Sequence, residues 1–363
     1  MRVAIVHDYL TQCGGAERVA LAMTRAFPEA PVYTSLYDEE TTFPEFSRVD
    51  VRTTWLNGVA PLRRRHRLAL PLLAPAFGHQ TVDADVILCS TSGWAHGVRS
   101  TGRKVVYCHT PAHWLYDGTR YLGGRRRLAW AALMLLRPYL LRWDRHSALS
   151  ADRYLANSNV VRRRIRDAYG IEAEVLPAPP ALQPDGPRRR PESVETGFFL
   201  CVSRLLPYKN VDGVVGAFRD LPQLTLVVVG TGPEAARLRA GAPANVRLLE
   251  VVADDELRWL YEHCSALVAA SYEDYGLTPL EAAAFGKPAV VLRAGGFLDT
   301  VVEGATGVFF NRPDAESIRR SIEECSGRAW DETELRAHAE SFSEGRFTER
   351  LRKIVLQEAE AAC

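Results

Sequence analysis

Six prolines within residues 177–191 divide the chain into two series of short apolar runs. Proline fixes φ and has no N–H, so this interval can be neither a helix interior nor a central strand. Before it come Val3–Val6, Val86–Cys89, Val105–Cys108 and Tyr154–Ala156. After it come Phe198–Val202, Leu224–Val229, Ala266–Ala269, Ala289–Leu292 and Val308–Phe310. These runs end at small or polar residues. After the first, Val19, Met23 and Phe27 recur at helical spacing. Strand, loop and helix in alternation predict parallel sheets with crossover helices, an α/β class. The expected units are 1–176 and 192–344, joined by 177–191. Open parallel sheets bind ligands beyond the carboxyl ends of their strands, so both units could offer loops to one cleft.

Composition narrows the class. At 47% hydrophobic and 25% charged residues, the chain is neither disordered nor a multi-span membrane protein. Its longest apolar runs, Leu68–Phe77 and Leu128–Leu136, fall short of the roughly 20 residues that cross a bilayer. The four apolar residues Val3–Val6 stop at charge and do not make a signal peptide. Seven scattered cysteines without a C-x-x-C pair imply no disulfide or zinc framework and a cytoplasmic, reduced setting. Charge is asymmetric: residues 1–190 hold 27 basic and 17 acidic side chains, a net +10, whereas 191–363 hold 18 and 27, a net −9. The basic half suits phosphates, nucleic acid or acidic lipid, or is simply a solvated arginine-rich surface.

Three segments carry chemistry. In Glu273-Asp-Tyr-Gly-Leu-Thr-Pro-Leu-Glu281, two glutamates flank seven residues at the start of a helix expected over Leu280–Phe285. Gly276, Leu277 and Thr278 precede that helix, where free N–H groups suit a phosphate. Taken alone, the pair would be surface carboxylates on a capped helix. Ser203-Arg204-Leu-Leu-Pro-Tyr-Lys209 places two cations on an exposed loop after a strand, suited to neutralising a diphosphate or simply solvated. Val229-Gly230-Thr231-Gly232-Pro233 and Gly295-Gly296 are glycine turns, the first at a strand end.

In this order the segments resemble the retaining family 4 glycosyltransferases of the GT-B fold, along nearly the whole chain. Asn157-Ser158-Asn159 after a strand also matches. The segments Val6-His7-Asp8-Tyr9-Leu10, Gly14-Gly15-Ala16-Glu17-Arg18 and Tyr107-Cys108-His109-Thr110-Pro111 are similar to the bacterial O-antigen and exopolysaccharide mannosyltransferase branch. The resemblance implies two Rossmann-like, doubly wound parallel-sheet domains facing a central cleft. The N-terminal domain would bind acceptor and the C-terminal domain nucleotide sugar, with a helix in 345–363 crossing back. The implied reaction moves a hexose, with mannose from GDP-mannose expected and a UDP-sugar donor the alternative, to a polyprenyl-linked or other glycan acceptor, without a metal or other cofactor.

The same resemblance assigns roles. Arg204 and Lys209 hold the donor diphosphate, Glu281 the ribose, and Glu273 the 3- and 4-hydroxyls of the sugar. Backbone around Gly276, Leu277 and Thr278 meets phosphate and sugar oxygens, with Ser203, Gly230 and Thr231 also lining the donor site. Gly14 and Gly15 let a loop approach the diphosphate. His109 lies by the transferred sugar; the alternative is a strand-end histidine held by its own loop. Val251, Val252 and Asp254 line the base, although Glu250 stands where the family often has glycine. Asp254 could accept from guanine, or be the N-cap of a helix Asp255–His263.

Asp83-Ala-Asp85 fits a metal-motif spelling but precedes a strand and is expected to be its entry. Basic clusters in Pro61–Arg67 and at Arg125–Arg127 adjoin the two apolar runs and suit an anionic membrane surface, or are the basic ends of core helices. Three rival functions fit less well. A nucleotide-sugar epimerase needs acids and histidines across the sugar. A Rossmann oxidoreductase needs G-x-G-x-x-G after the first strand, which is absent. A nucleic-acid binder leaves the acidic second half unexplained.

Overall fold

Both halves of the chain build all-parallel sheets. The computed structural model describes residues 1–64, 68–116 and 127–361, with backbone only for Trp114 and 127–134. Residues 1–178 with 344–363 form one unit, and 179–343 the other.

In the first unit, strands β1 (Val3–His7), β2 (Val32–Thr34), β3 (Val51–Thr53), β5 (Val86–Thr91), β7 (Arg103–Cys108), β8 (Arg153–Ala156) and β9 (Glu174–Val175) lie in the order β3-β2-β1-β5-β7-β8-β9. β4 (Thr81–Val82) and β6 (Arg99–Ser100) pair separately. The chain runs outward from β1 to β3, then returns to the other side of β1 as β5. Successive connections therefore diverge between β1 and β5, and the switch point of a doubly wound sheet opens there. The register sets His7 beside Ser90 and Ser90 beside Tyr107. Ile5, Val6, Val86, Ile87, Leu88, Val105 and Val106 are fully buried, as strands covered on both faces require.

The C-terminal helix Glu344–Glu360 packs on the first unit. Its Phe347 meets the Tyr107 ring edge-on at 5.7 Å. Its buried Glu358 accepts from Arg103 at 2.7 Å and Arg153 at 3.5 Å.

The second unit repeats the logic. Strands β10 (Phe198–Val202), β11 (Leu226–Val229), β12 (Val246–Leu249), β13 (Cys264–Ala269), β14 (Ala289–Leu292) and β15 (Gly307–Phe310) lie in the order β12-β11-β10-β13-β14-β15, with the switch between β10 and β13. The proline-rich interval does not hang free of this unit: Leu182 is buried in its core, and Arg189 pairs with Asp255 at 3.0 Å.

Several elements depart from the sequence expectation. β2, β3 and β9 have three residues or fewer at or near the sheet margin, too short to carry a period of their own. β7 begins at Arg103 and Lys104, charged residues that disguise a strand. The Lys104 ammonium is satisfied inside by the carbonyls of His96 and Val98 and by Ser150. The apolar run Leu68–Phe77 forms a helix over Leu70–His79. The helix holding the second apolar run spans Arg127–Leu149. Of the basic clusters, 65–67 and 125–126 lie outside the described residues. Asp83 and Asp85 stand at the amino end of β5, pairing with Arg2 at 2.9 and 3.7 Å, so they serve the strand entry.

Candidate active site

The residues expected to bind the donor gather at the carboxyl edge of the second sheet. β10 ends at Ser203 and Arg204, and the chain turns through a short 3-10 segment, Pro207–Lys209. This turn is held against the end of β11: Ser203 N donates to Val229 O at 3.0 Å, and Leu205 N to Thr231 O at 2.8 Å. The approach explains Gly230, where a Cβ would stand 1.8 Å from Ser203 O. No side chain fits there, so the glycine shapes the loop that carries the cations.

The two cations differ. Arg204 is exposed, as expected, and its Nη2 donates to Tyr208 Oη at 3.4 Å. Lys209, expected on an exposed loop, is 9% exposed. Its ammonium is bonded to the Glu273 carboxylate from the β13 side of the switch point, and Ser271 Oγ donates to the same oxygen. A cation this buried must be paired, which is why it is not solvated. Tyr208 lies between the cations, its ring centroid 5.2 Å from Lys209 Nζ. Tyr208 lay inside the quoted motif, yet nothing in its spacing marked it.

The helix after β13 starts earlier than expected and spans Leu277–Ala284. Its N-cap is Gly276 at φ 91°, a left-handed position where a Cβ would also meet Phe297 at 2.6 Å. Pro279 has no N–H to offer, so Leu277 and Thr278 supply the first free donors. Gly296 N donates to Glu273 O at 2.8 Å, so the Gly295–Gly296 turn pins the backbone that carries Glu273.

Glu281 is 6% exposed, which removes the surface-carboxylate alternative. Tyr261 Oη donates to its Oε2 at 2.7 Å, and Leu182 N to its Oε1 at 3.3 Å. Burial, then the neighbouring Glu281 charge, push the Tyr261 hydroxyl well above its ordinary pKa, so it remains a donor. Sequence reasoning missed Tyr261 and Ser271, because side-chain pairing across elements leaves no local signature.

At the edge strand β12, Val251 is 83% exposed and Val252 half-buried. Glu250 pairs with Arg239 at 2.7 Å. Asp254 is not an N-cap. The helix runs Asp254–His263 with Ala253 at the cap, and Glu256 accepts from Ala253 N at 3.2 Å.

Gly14, Gly15 and His109 belong to the first unit, at the carboxyl edge of its sheet. Gly14 caps the helix Gly15–Ala26. A Cβ on Gly14 would stand 2.4 Å from the chain's own Glu17 Oε2, the end of a side chain that would have to shift. His109 follows β7 and is half-buried. It is not held by its own loop alone: Ser90, at the end of β5, bonds its Nε2 at 2.8 Å. Asn157 Nδ2 donates to the His109 carbonyl at 3.2 Å. Desolvation, then the neighbouring His7, push the His109 imidazole down to about 3, so it is neutral at physiological pH.

Residues 13–179 match the model described as Glycosyltransferase Family 4, and 186–339 the model described as Glycosyl transferases group 1. The two matches together span most of the chain, which belongs to the glycosyltransferase families they describe and has the GT-B fold. An uncharacterized glycosyltransferase of Bacillus subtilis is 29% identical over 47% of this chain and 50% of its own. The GDP-mannose-dependent alpha-(1-6)-phosphatidylinositol monomannoside mannosyltransferase of Mycolicibacterium smegmatis is 28% identical over 56% of this chain and 61% of its own. The chain thus spans about half to three-fifths of the length of these relatives. Among solved structures, Anabaena HepE in complex with UDP and glucose superposes with TM-score 0.69 at 19% identity, over 98% of this chain and 99% of its own. Sucrose-phosphate synthase of Thermosynechococcus elongatus gives TM-score 0.71 at 16% identity, over 99% and 100%. At such identities these two speak for the GT-B fold alone.

The His109 environment makes a pH prediction. The unfolded imidazole protonates near 6.5 and the folded one near 3, so the unfolded state binds more protons between these values. His109's contribution to stability is complete above about pH 6.5 and declines as pH falls toward 3. Urea unfolding at pH 7, 5.5 and 4.5 should show a smaller acid loss in His109→Gln than in the parent. An equal loss in both would place the acid sensitivity elsewhere.

Proposed function

We propose that this glycosyltransferase moves mannose from GDP-mannose onto a lipid-linked or other glycan acceptor, in surface polysaccharide or glycolipid synthesis. It does so with retention at the anomeric carbon and without a metal ion. The observation that carries the reading is the cationic turn Arg204–Lys209 at the switch point, with the N-terminus of helix Leu277–Ala284 after the adjacent strand. The bond from C1 to the β-phosphate oxygen breaks, and the acceptor oxygen bonds C1 on the same face. The acceptor proton passes to the leaving phosphate. Arg204, Lys209 and the Leu277 and Thr278 N–H groups take up the charge on that phosphate. Glu273, fixed by Lys209, accepts from sugar hydroxyls. Glu281 accepts from the ribose. His109 serves the sugar, and Gly14 and Gly15 serve the diphosphate. Ser203, Gly230 and Thr231 line the donor side, and Val251, Val252 and Asp254 the base.

Support for the guanine base comes from the mycobacterial relative named for GDP-mannose and from Asp254, which can accept from the two guanine donors. A UDP-sugar donor is the second reading, favoured by the UDP-bound structural neighbour. A melting-temperature panel separates them, since a ligand that binds the native state raises its midpoint. GDP should stabilise more than UDP or ADP; stabilisation by UDP alone would transfer the assignment to the second reading.

Membrane contact belongs to the same proposal. Among the described residues no helix is long and apolar enough to cross a bilayer. The Arg127–Leu149 helix nevertheless exposes Leu135, Tyr139 and Leu149. Apolar and basic side chains together suit peripheral binding at the cytoplasmic face. Cosedimentation with anionic vesicles should exceed that with neutral ones and weaken with salt; equal, negligible pelleting would remove this part.

The cations give the sharpest test. Losing one preorganised donor to a developing anion costs roughly 10²–10³ in rate. Arg204→Ala should lose about that factor at nearly unchanged stability, being exposed. Lys209→Gln should lose as much and also melt earlier, because it leaves Glu273 without its buried partner. EDTA should leave turnover intact. Abolition by EDTA with rescue by Mn²⁺ or Mg²⁺, or a near-normal rate in Lys209→Gln, would overturn this account of the diphosphate.

A further inference from the structure

A chain of polar side chains crosses the switch point of the first sheet, and the transfer reaction as written uses only its last member. Glu17 is 1% exposed in the first turn of helix Gly15–Ala26. Gln12 Nε2 donates to its Oε1 at 3.0 Å, and His7 Nε2 stands 4.0 Å from the same oxygen. Among the described residues its Oε2 has no hydrogen-bond partner, although it is fully enclosed. His7 Nδ1 lies 3.0 Å from Ser90 Oγ, and Ser90 Oγ lies 2.8 Å from His109 Nε2. His7 and Ser90 are register partners at the ends of β1 and β5, and His109 follows β7. The chain Glu17–His7–Ser90–His109 therefore spans three adjacent strand ends.

Proton counting gives this chain a direction. A carboxylate only accepts, so the His7 nitrogen that faces it favours carrying the hydrogen. With a single ring hydrogen, on Nε2, His7 presents a lone pair at Nδ1. Ser90 has one hydroxyl hydrogen and gives it to that lone pair. Ser90 Oγ is left to accept, so His109 must bring a hydrogen on Nε2. A neutral imidazole carries only one, and His109 Nδ1 is bare. Among the described residues nothing in the chain bonds to Nδ1.

We propose that Glu17, His7 and Ser90 are positioning residues that hold His109 in its Nε2–H tautomer, leaving Nδ1 as the acceptor for a hydroxyl of the bound sugar. The neutral state that desolvation gives His109 agrees with this, since an imidazolium could accept nothing. Burying an acid with one oxygen unmatched is costly. The first-turn N–H groups of its own helix soften that cost, and the orientation of His109 gives the acid a purpose beyond stability. The use made of Nδ1 rests on the proposed place of His109 beside the sugar; the tautomer does not.

Histidine 15N and 13C NMR on the full chain reads the tautomer directly, without substrate. In the parent at pH 7, His109 should be neutral with its hydrogen on Nε2. In Glu17→Gln, whose amide can donate as well as accept, His7 loses its preference, and His109 should shift to a mixture with substantial Nδ1–H. Ser90→Ala should give a mixture with Glu17 intact, and adding Glu17→Gln to it should change His109 no further. A parent His109 that is protonated or Nδ1–H at pH 7 overturns the proposal even if every variant fails to fold. So does a parent tautomer retained in folded Glu17→Gln or Ser90→Ala. If the NMR results hold but His109→Asn turns over normally, the relay stands and the sugar contact of His109 falls.

Discussion

The divergence of connections at the centre of each parallel sheet governs where chemistry can sit. Between β1 and β5, and again between β10 and β13, the chain leaves neighbouring strands in opposite directions. Among the described residues no crossover runs over these strand ends, so side chains of the two neighbouring strands can meet there. In both units the polar pairs of interest bridge that gap. His7 meets Ser90 in one, and Lys209 meets Glu273 in the other.

Both bridges place ionisable groups where water is scarce, and each solves the problem differently. Lys209 keeps its charge by pairing with Glu273, which takes a further hydrogen bond from Ser271. His109 gives up its charge and becomes a neutral partner of Ser90. For Glu17, burial drives the carboxyl upward, but the nearby His7, with Gln12 and its own backbone N–H, outweighs it and leaves the group below its ordinary range. A site assembled from fixed partners loses little to reorganisation when a charged substrate arrives, which is how preorganised electrostatics accelerates a reaction.

Much of the architecture was legible before any coordinates. Long apolar runs such as Phe198–Val202 and Ala289–Leu292 became strands with the expected bounds. The alternation of strand and helix implied parallel sheets. Margins were illegible, because Glu174–Val175 and Val51–Thr53 exist only by pairing with a neighbour. The start of the Leu277–Ala284 helix was also hidden: Gly276 and Pro279 look like breakers, yet act as cap and first-turn residue.

The sequence by itself determined the class of fold and which residues sit at strand ends, because apolar runs and the small or polar residues after them are local patterns. It singled out Arg204, Lys209, Glu273 and Glu281 by spacing. It also carried His7 and Glu17 within recognisable segments, without a role for either. Only the tertiary structure decided partnership. Lys209 and Glu273 are 64 residues apart, His7 and Ser90 are 83 apart, and Ser90 and His109 are 19 apart. Whether such residues touch depends on strand order and register, which set which side chains become neighbours across a sheet. Those are decided by how all the strands pack at once, and no local spacing along the chain records them.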